Sequence, residues 1–200
     1  MSRPTRLARA VANPGEATSV LWQLLRGQLY KLFLPLFGHR FRAGRNFRVE
    51  GRLIVRGPGR VEFGDDVTVG MTVTPWTYHP DAVIAIGDRA YLNGTSFGCR
   101  ERIEIGADAI LANARIMDTD FHSTQRDRHT EGAPVRVAPV ILGENVWVAA
   151  QAGLLPGTRI GRNSVVGFGA VCSGEYPADT IIGGNPARPL KSIPGSPGTA

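Results

Sequence analysis

The sequence predicts an all-β solenoid with a helix over one end. Three observations carry that reading: an apolar beat every six residues, 25 glycines in 200 positions without a period of three, and one amphipathic stretch near the start. The beat is clearest in LGENVW VAAQAG LLPGTR IGRNSV VGFGAV CSGEYP, where Leu142, Val148, Leu154, Ile160, Val166 and Cys172 stand six apart. Val146, Ala152, Thr158, Ser164 and Ala170 follow four positions after the first five. The frame also appears in IGDRAY LNGTSF, is shifted by one in IGADAI LANARI, and is weaker in FGDDVT VGMTVT. A period of six is neither helical nor the two of an extended strand. It suits short strands joined by tight turns, the apolar residue pointing in and the small one filling a crowded corner. One such coil cannot bury its apolar face, so coils must stack and the ends need covers.

The end cover is read from residues 19 to 38. Ser19 can cap a helix, and Trp22, Leu25, Leu29, Leu32, Phe33 and Leu36 follow a helical stripe facing the solenoid. Pro35 and Gly38 bring it to an end. The chain therefore divides into a basic N-terminal segment with its capping helix (1–44), the solenoid (45–193) and a flexible tail (194–200).

Net charge is +6, spread unevenly. Residues 1–60 hold twelve Lys/Arg against Glu16 and Glu50, a net of +10, which leaves −4 for the rest. That basic third could face an anionic cofactor, a phosphorylated substrate or a membrane surface, the last through Trp22, Phe33 and Phe37. Nucleic acid is disfavoured, because aromatics do not interleave with the basic residues. Cys99 and Cys172 form no CxxC pair or disulfide framework. With no signal-peptide pattern, and with charges and Pro35 interrupting Val20 to Phe37, the expected location is the cytoplasm, with the inner membrane face left open.

The beat breaks once, at MDTDFHSTQRDRHTEG (117–132), within a loop that runs to residue 139. His122 can accept a proton near neutral pH, and Asp118 or Asp120 could fix its tautomer. A solvated loop histidine is the plainer alternative on composition alone. His129 reads as surface.

The stretches MDTDFH, LGENVWVAAQAGLLPGTRIGRNSVVGFGAV and GGNPARPL resemble the hexapeptide-repeat acyltransferases, in the branch with maltose, galactoside and exopolysaccharide O-acetyltransferases. The resemblance covers residues 45–193 and implies a left-handed parallel β-helix of triangular section. It implies His122 as general base in transfer from acetyl-CoA to a sugar hydroxyl, with Asp120 or Asp118 orienting it, and a homotrimer with sites between subunits. It places Trp147 and, with an offset of a residue or two, Asn93 at the acceptor. It places Ala149, Ala150, Gly167, Phe168, Ser173 and Arg188 along acetyl-CoA. Gly174 stands where the family often has lysine, which puts one phosphate contact in doubt.

Two other classes compete: amino-group transfer to an amino sugar or xenobiotic, and a solenoid that only binds partners. A zinc site of the γ-carbonic-anhydrase kind needs three histidines. His39, His79, His122 and His129 show no ligand spacing, so no metal is expected.

Overall fold

The computed structural model describes residues 14–195. Residues 1–13, with Arg3, Arg6 and Arg9, and residues 196–200 of the expected tail lie outside the described residues.

The chain winds into a parallel β-solenoid of three walls. The first wall stacks β1 (Arg40–Ala43), β4 (Arg60–Phe63), β7 (Val83–Ile86), β10 (Arg102–Ile105), β13 (Val140–Leu142), β16 (Arg159–Ile160) and β19 (Glu175–Tyr176). The second stacks β2 (Arg48–Val49), β5 (Thr68–Val69), β8 (Tyr91–Asn93), β11 (Ile110–Ala112), β14 (Trp147–Val148), β17 (Val165–Val166) and β20 (Thr180–Gly184), closed by the antiparallel β21 (Ala187–Ser192). The third stacks β3 (Arg52–Leu53), β6 (Thr72–Thr77), β9 (Ser96–Cys99), β12 (Arg115–Met117), β15 (Gly153–Leu154) and β18 (Val171–Cys172). The solenoid starts at Arg40, ahead of the expected residue 45, because β1 already pairs with β4.

The six-residue beat is the inward column. Leu142, Val148, Leu154, Ile160, Val166 and Cys172 are all buried, as are Val146, Ala152, Thr158, Ser164 and Ala170 four positions on. Each coil donates backbone N–H groups to carbonyls of the next, as in Thr68 to Ala90, Tyr91 to Ala109, Ile110 to Val146 and Trp147 to Ser164. At the corner between first and second walls, Asn46, Asp66, Arg89, Asp108, Asn145, Asn163 and Asp179 take the left-handed region, which Asn and Asp tolerate best. A Cβ on Gly161 just before one of these turns would meet the Ala178 backbone nitrogen, so only glycine lets the coils approach there.

The end cover follows from the same ladder. Carbonyls of the first coil have no earlier coil to donate to them, and α1 (Pro14–Leu36) supplies donors from its side chains. Arg26 donates to Glu50 O at 2.6 Å and to Gly51 O, and Lys31 donates to Gly44 O at 3.0 Å. Gly27 lies directly on the Phe47 backbone, where a side chain would clash. The helix starts at Pro14, a residue suited to a first turn, so Ser19 lies inside it rather than at its cap. It stops as expected: Gly38 is left-handed, with Gly38 N donating to Pro35 O and His39 N to Leu34 O.

The face of α1 corrects the sequence reading. Gly27, Tyr30, Lys31 and Leu34 turn toward the solenoid. The expected core stripe faces outward instead, with Trp22 59% exposed, Leu32 64%, Leu36 72% and neighbouring Phe37 76%. The face that meets the solenoid joins the carbonyl-capping Arg26 and Lys31 to Tyr30 and Leu34, which pack on the core, so polar capping and apolar contact together set the rotation of the helix.

Candidate active site

The loop of residues 118–139 leaves the corner between third and first walls, between β12 and β13. Its two ends close on each other. Asp120 N donates to Arg136 O at 3.1 Å, Ala138 N donates to Asp118 O at 2.9 Å, and Thr119 bridges Val137 antiparallel. Asp118 is fully buried, and its carboxylate accepts the backbone N–H groups of Arg100, Glu101 and Arg102, each at 2.7 Å. It ties the loop to the coil before it. Its oxygens are thus engaged with the backbone, not with His122.

Phe121 takes φ 61°, a conformation that a bulky side chain adopts only under outside constraint. Gly98 explains how: a Cβ there would meet Phe121 Cζ at 2.5 Å, so the absence of a side chain on β9 makes the seat for the ring. Tyr78 meets the same ring edge-on, with centroids 4.8 Å apart. His122 follows directly. Its N–H donates to Asp120 O at 2.7 Å, and its side chain is exposed with no hydrogen-bond partner among the described residues. Asp120 is also exposed, and His129 lies on the open part of the loop.

The other expected residues fall at a different corner. Asn93 ends β8, Ala149 and Ala150 follow β14, and Gly167 and Phe168 follow β17, so all five run along the corner between second and third walls. Small residues there leave backbone open beside two exposed aromatics, Trp147 at 48% and Phe168 at 71%. Asn93 is partly engaged, accepting from Met71 N at 3.0 Å. Arg188 is exposed on β21, at the end of the second wall. Ser173 is not brought to that corner; it follows β18 on the loop's side, and its N–H donates to the Tyr176 hydroxyl at 3.2 Å. Within one chain, then, His122 and most of the expected cofactor residues stand on either side of the third wall. Six residues of extended chain span on the order of 20 Å.

A family model described as bacterial transferase hexapeptide (six repeats) matches residues 139–174. WbbJ of Escherichia coli, named as a lipopolysaccharide biosynthesis O-acetyl transferase, is 27% identical over 68% of this chain and 74% of its own. WcaF of the same organism, named as a colanic acid biosynthesis acetyltransferase, is 25% identical over 86% of this chain and 80% of its own. The matched repeats and these relatives support the hexapeptide-repeat acetyltransferase family for this chain. The N-acyltransferase AntD of Bacillus cereus, solved with dTDP and coenzyme A, shares the fold of this acetyltransferase, with a TM-score of 0.65 at 18% identity over 81% of this chain and 88% of its own. Two further acetyltransferase relatives are spanned over 56% and 44% of their lengths.

Sequence reading passed over Arg56, Trp76, Tyr78, Gly98, Arg115 and Phe121 around this acetyltransferase's loop. One signal was present: Trp76 has outward parity in a strand whose neighbours Pro75 and Thr77 are buried.

Burial decides what the acetyltransferase's thiols can do. It raises the Cys99 thiol pKa far above its ordinary range, with the buried Asp118 charge adding to the effect. It pushes Cys172 up to about 11. Both thiols hold their protons in the folded chain at pH values where an exposed thiol, with a pKa of about 8.5, ionises. Folding therefore binds more protons than the unfolded chain in that range, and stability falls as pH rises above about 8.5. Iodoacetamide at pH 8 will leave both cysteines of the native chain unmodified and will label both after unfolding in guanidinium, as read by mass spectrometry. Labelling of either thiol in the native state would contradict this.

Proposed function

We propose that this acetyltransferase transfers an acetyl group from acetyl-CoA to a hydroxyl of a sugar-containing acceptor, with His122 as general base. The observation that carries the reading is the posture of His122: an exposed imidazole on a loop whose base is tied down by Asp118 and whose approach is fixed by Phe121. A base must be held within reach of the proton it takes, and a rigid anchor provides that. Hydroxyl transfer is favoured over amine transfer because the two relatives above are named for O-acetyl and polysaccharide-linked chemistry.

The corner of small residues from Ala149 to Phe168 suits a thin acyl-carrying arm, and Arg188 suits an anionic end. Acetyl-CoA supplies the acyl group. His122 takes the acceptor's hydroxyl proton as the oxygen attacks the acyl carbon, the thioester C–S bond then breaks, and the imidazolium returns the proton to the departing thiolate, which leaves as free CoA. Asp120, exposed beside it, is the carboxylate left to steady the imidazolium, since Asp118 is engaged with three backbone amides. Direct transfer suits a chain whose two thiols are buried and protonated.

The separation of His122 from the cofactor corner supports a homotrimer in which the loop of one copy meets the corner of another. Two walls side by side also make a groove that one flat wall cannot.

We assign the outward face of α1 to peripheral contact with an anionic membrane. No described helix is long and apolar enough to cross one. The face offers Trp22, Leu25, Leu32 and Leu36, with Phe37 just beyond the helix, an exposed apolar surface within the basic third of the chain. Vesicles containing phosphatidylglycerol will co-sediment the chain, pure phosphatidylcholine vesicles will not, and Leu32→Glu with Phe37→Glu will abolish binding. No binding to the anionic vesicles would reject the assignment. So would a change in oligomer mass caused by those substitutions, which would give the face to a second copy.

For the chemistry, thiol release from acetyl-CoA is measured against a panel of methyl glycosides. His122→Ala will lower kcat by about a hundred- to ten-thousandfold, with the fold and the KM for acetyl-CoA retained. Arg188→Ala will raise that KM with little change in kcat, because a remote contact acts equally in ground and transition states. Near wild-type kcat in His122→Ala would remove the histidine from the mechanism.

A further inference from the structure

The third wall carries a second feature beside the loop. A groove of about 390 Å³ runs across it, lined by Arg56, Trp76, Tyr78, Ser96, Arg115 and Phe121 among others. Its floor comes from strand register: Thr74 pairs Ser96 and Ser96 pairs Arg115, so one outward column runs from β6 through β9 to β12. The next column runs from Arg56 to Trp76 to Gly98. Trp76 and Tyr78, two residues apart on the outward face, stack with centroids 4.9 Å apart and planes at 20°. The Arg56 guanidinium lies 5.2 Å from the centre of the Trp76 ring. Phe121 completes the row, and the residue after it is His122.

Two properties of this row call for a ligand. Trp76 and Tyr78 remain 40% and 38% exposed, although each is a large aromatic side chain. Arg56 and Arg115 both line the groove, and neither takes part in an ion pair among the described residues. Most described arginines lack an ion pair as well, so it is the position of these two, lining the groove beside the exposed Trp76 and Tyr78, that sets them apart. Aromatic surface suits the C–H face of a sugar ring, and unpaired guanidinium groups suit a carboxylate or phosphate, which arginine can hold in a forked geometry.

We propose that this groove is the acceptor subsite and that it selects a sugar bearing an acidic group. The ring packs on the exposed surface of Trp76 and Tyr78, its carboxylate or phosphate pairs with Arg56 and Arg115, and its reacting hydroxyl points past Phe121 to His122. Gly98 belongs to the device, because its missing side chain lets Phe121 sit low enough to close the row. The proposal rests on the acetyl-transfer reading above and names the substrate class for that same site.

The test uses three probes: methyl glucuronide, glucose 1-phosphate and methyl glucoside. Binding is read by ligand-detected saturation-transfer NMR on the His122→Ala chain, and acetyl transfer is read on the wild-type chain. Both acidic probes will bind and methyl glucoside will bind about tenfold more weakly. Arg56→Gln will erase that preference, whereas Trp76→Ala will weaken all three. The KM for acetyl-CoA will stay unchanged in Arg56→Gln and in Trp76→Phe, which keeps a ring should the alanine variant fail to fold. The relative strength of glucuronide and phosphate binding distinguishes the two acids. Failure of both acidic probes to bind, or equal binding of the neutral one, overturns the proposal. Binding without transfer to any probe leaves the subsite standing and counts instead against acetyl transfer to a hydroxyl.

Discussion

Everything in this chain depends on coil-over-coil pairing of backbone N–H with C=O. Each coil donates to the next, so equivalent residues stack in columns and the three corners repeat down the prism. That register leaves an inserted segment little choice: a loop inside a wall would break the pairing of a strand, whereas a loop at a corner leaves the strands paired and interrupts the ladder only at the turn. The 118–139 loop accordingly leaves the corner between third and first walls. The small-residue column from Ala149 to Phe168 occupies the corner between second and third. The separation of His122 from that corner is a consequence of strand order, and under the proposed function it leaves the site of a single copy incomplete.

The same ladder explains the two ends and the anchoring of the loop. Carbonyls left without donors on the first coil draw in Arg26 and Lys31 of α1, and the far end is closed by the antiparallel β21. Where the ladder is interrupted for the loop, Asp118 supplies the missing acceptors to three successive amides. Charge-assisted bonds of this kind, in a fully buried position, hold geometry well. Phe121 then stores backbone strain one residue before His122, balanced by its seat over Gly98 and its contact with Tyr78.

The period of six made the solenoid, its inward columns and the place of the loop legible, because a repeat averages over many equivalent positions. Leu142 to Cys172 all point inward as the beat requires. The helix was legible in extent near its end, where Pro35 and Gly38 act locally. Its rotation was not, since that depends on first-coil carbonyls distant in sequence. Asp118 and Asp120 looked interchangeable as neighbours of His122; only the positions of the Arg100 to Arg102 amides separate an anchor from an open carboxylate. Trp76, Tyr78 and Gly98 were missed because their meeting with Phe121 arises from stacking of coils some twenty residues apart.

The central claim is that the base of one copy serves the cofactor corner of another. Two variants test it most directly: His122→Ala, which lacks the base, and Ala150→Trp, which fills the corner. The two are co-expressed with different affinity tags, and oligomers carrying both tags are isolated and assayed for acetyl-CoA turnover. Sites shared between neighbouring copies of a trimer predict that these mixed oligomers recover about one third of wild-type turnover, since in either mixed trimer one site of three joins an intact base to an intact corner. Mixed oligomers as inert as their parents would contradict the account and return the whole site to a single chain.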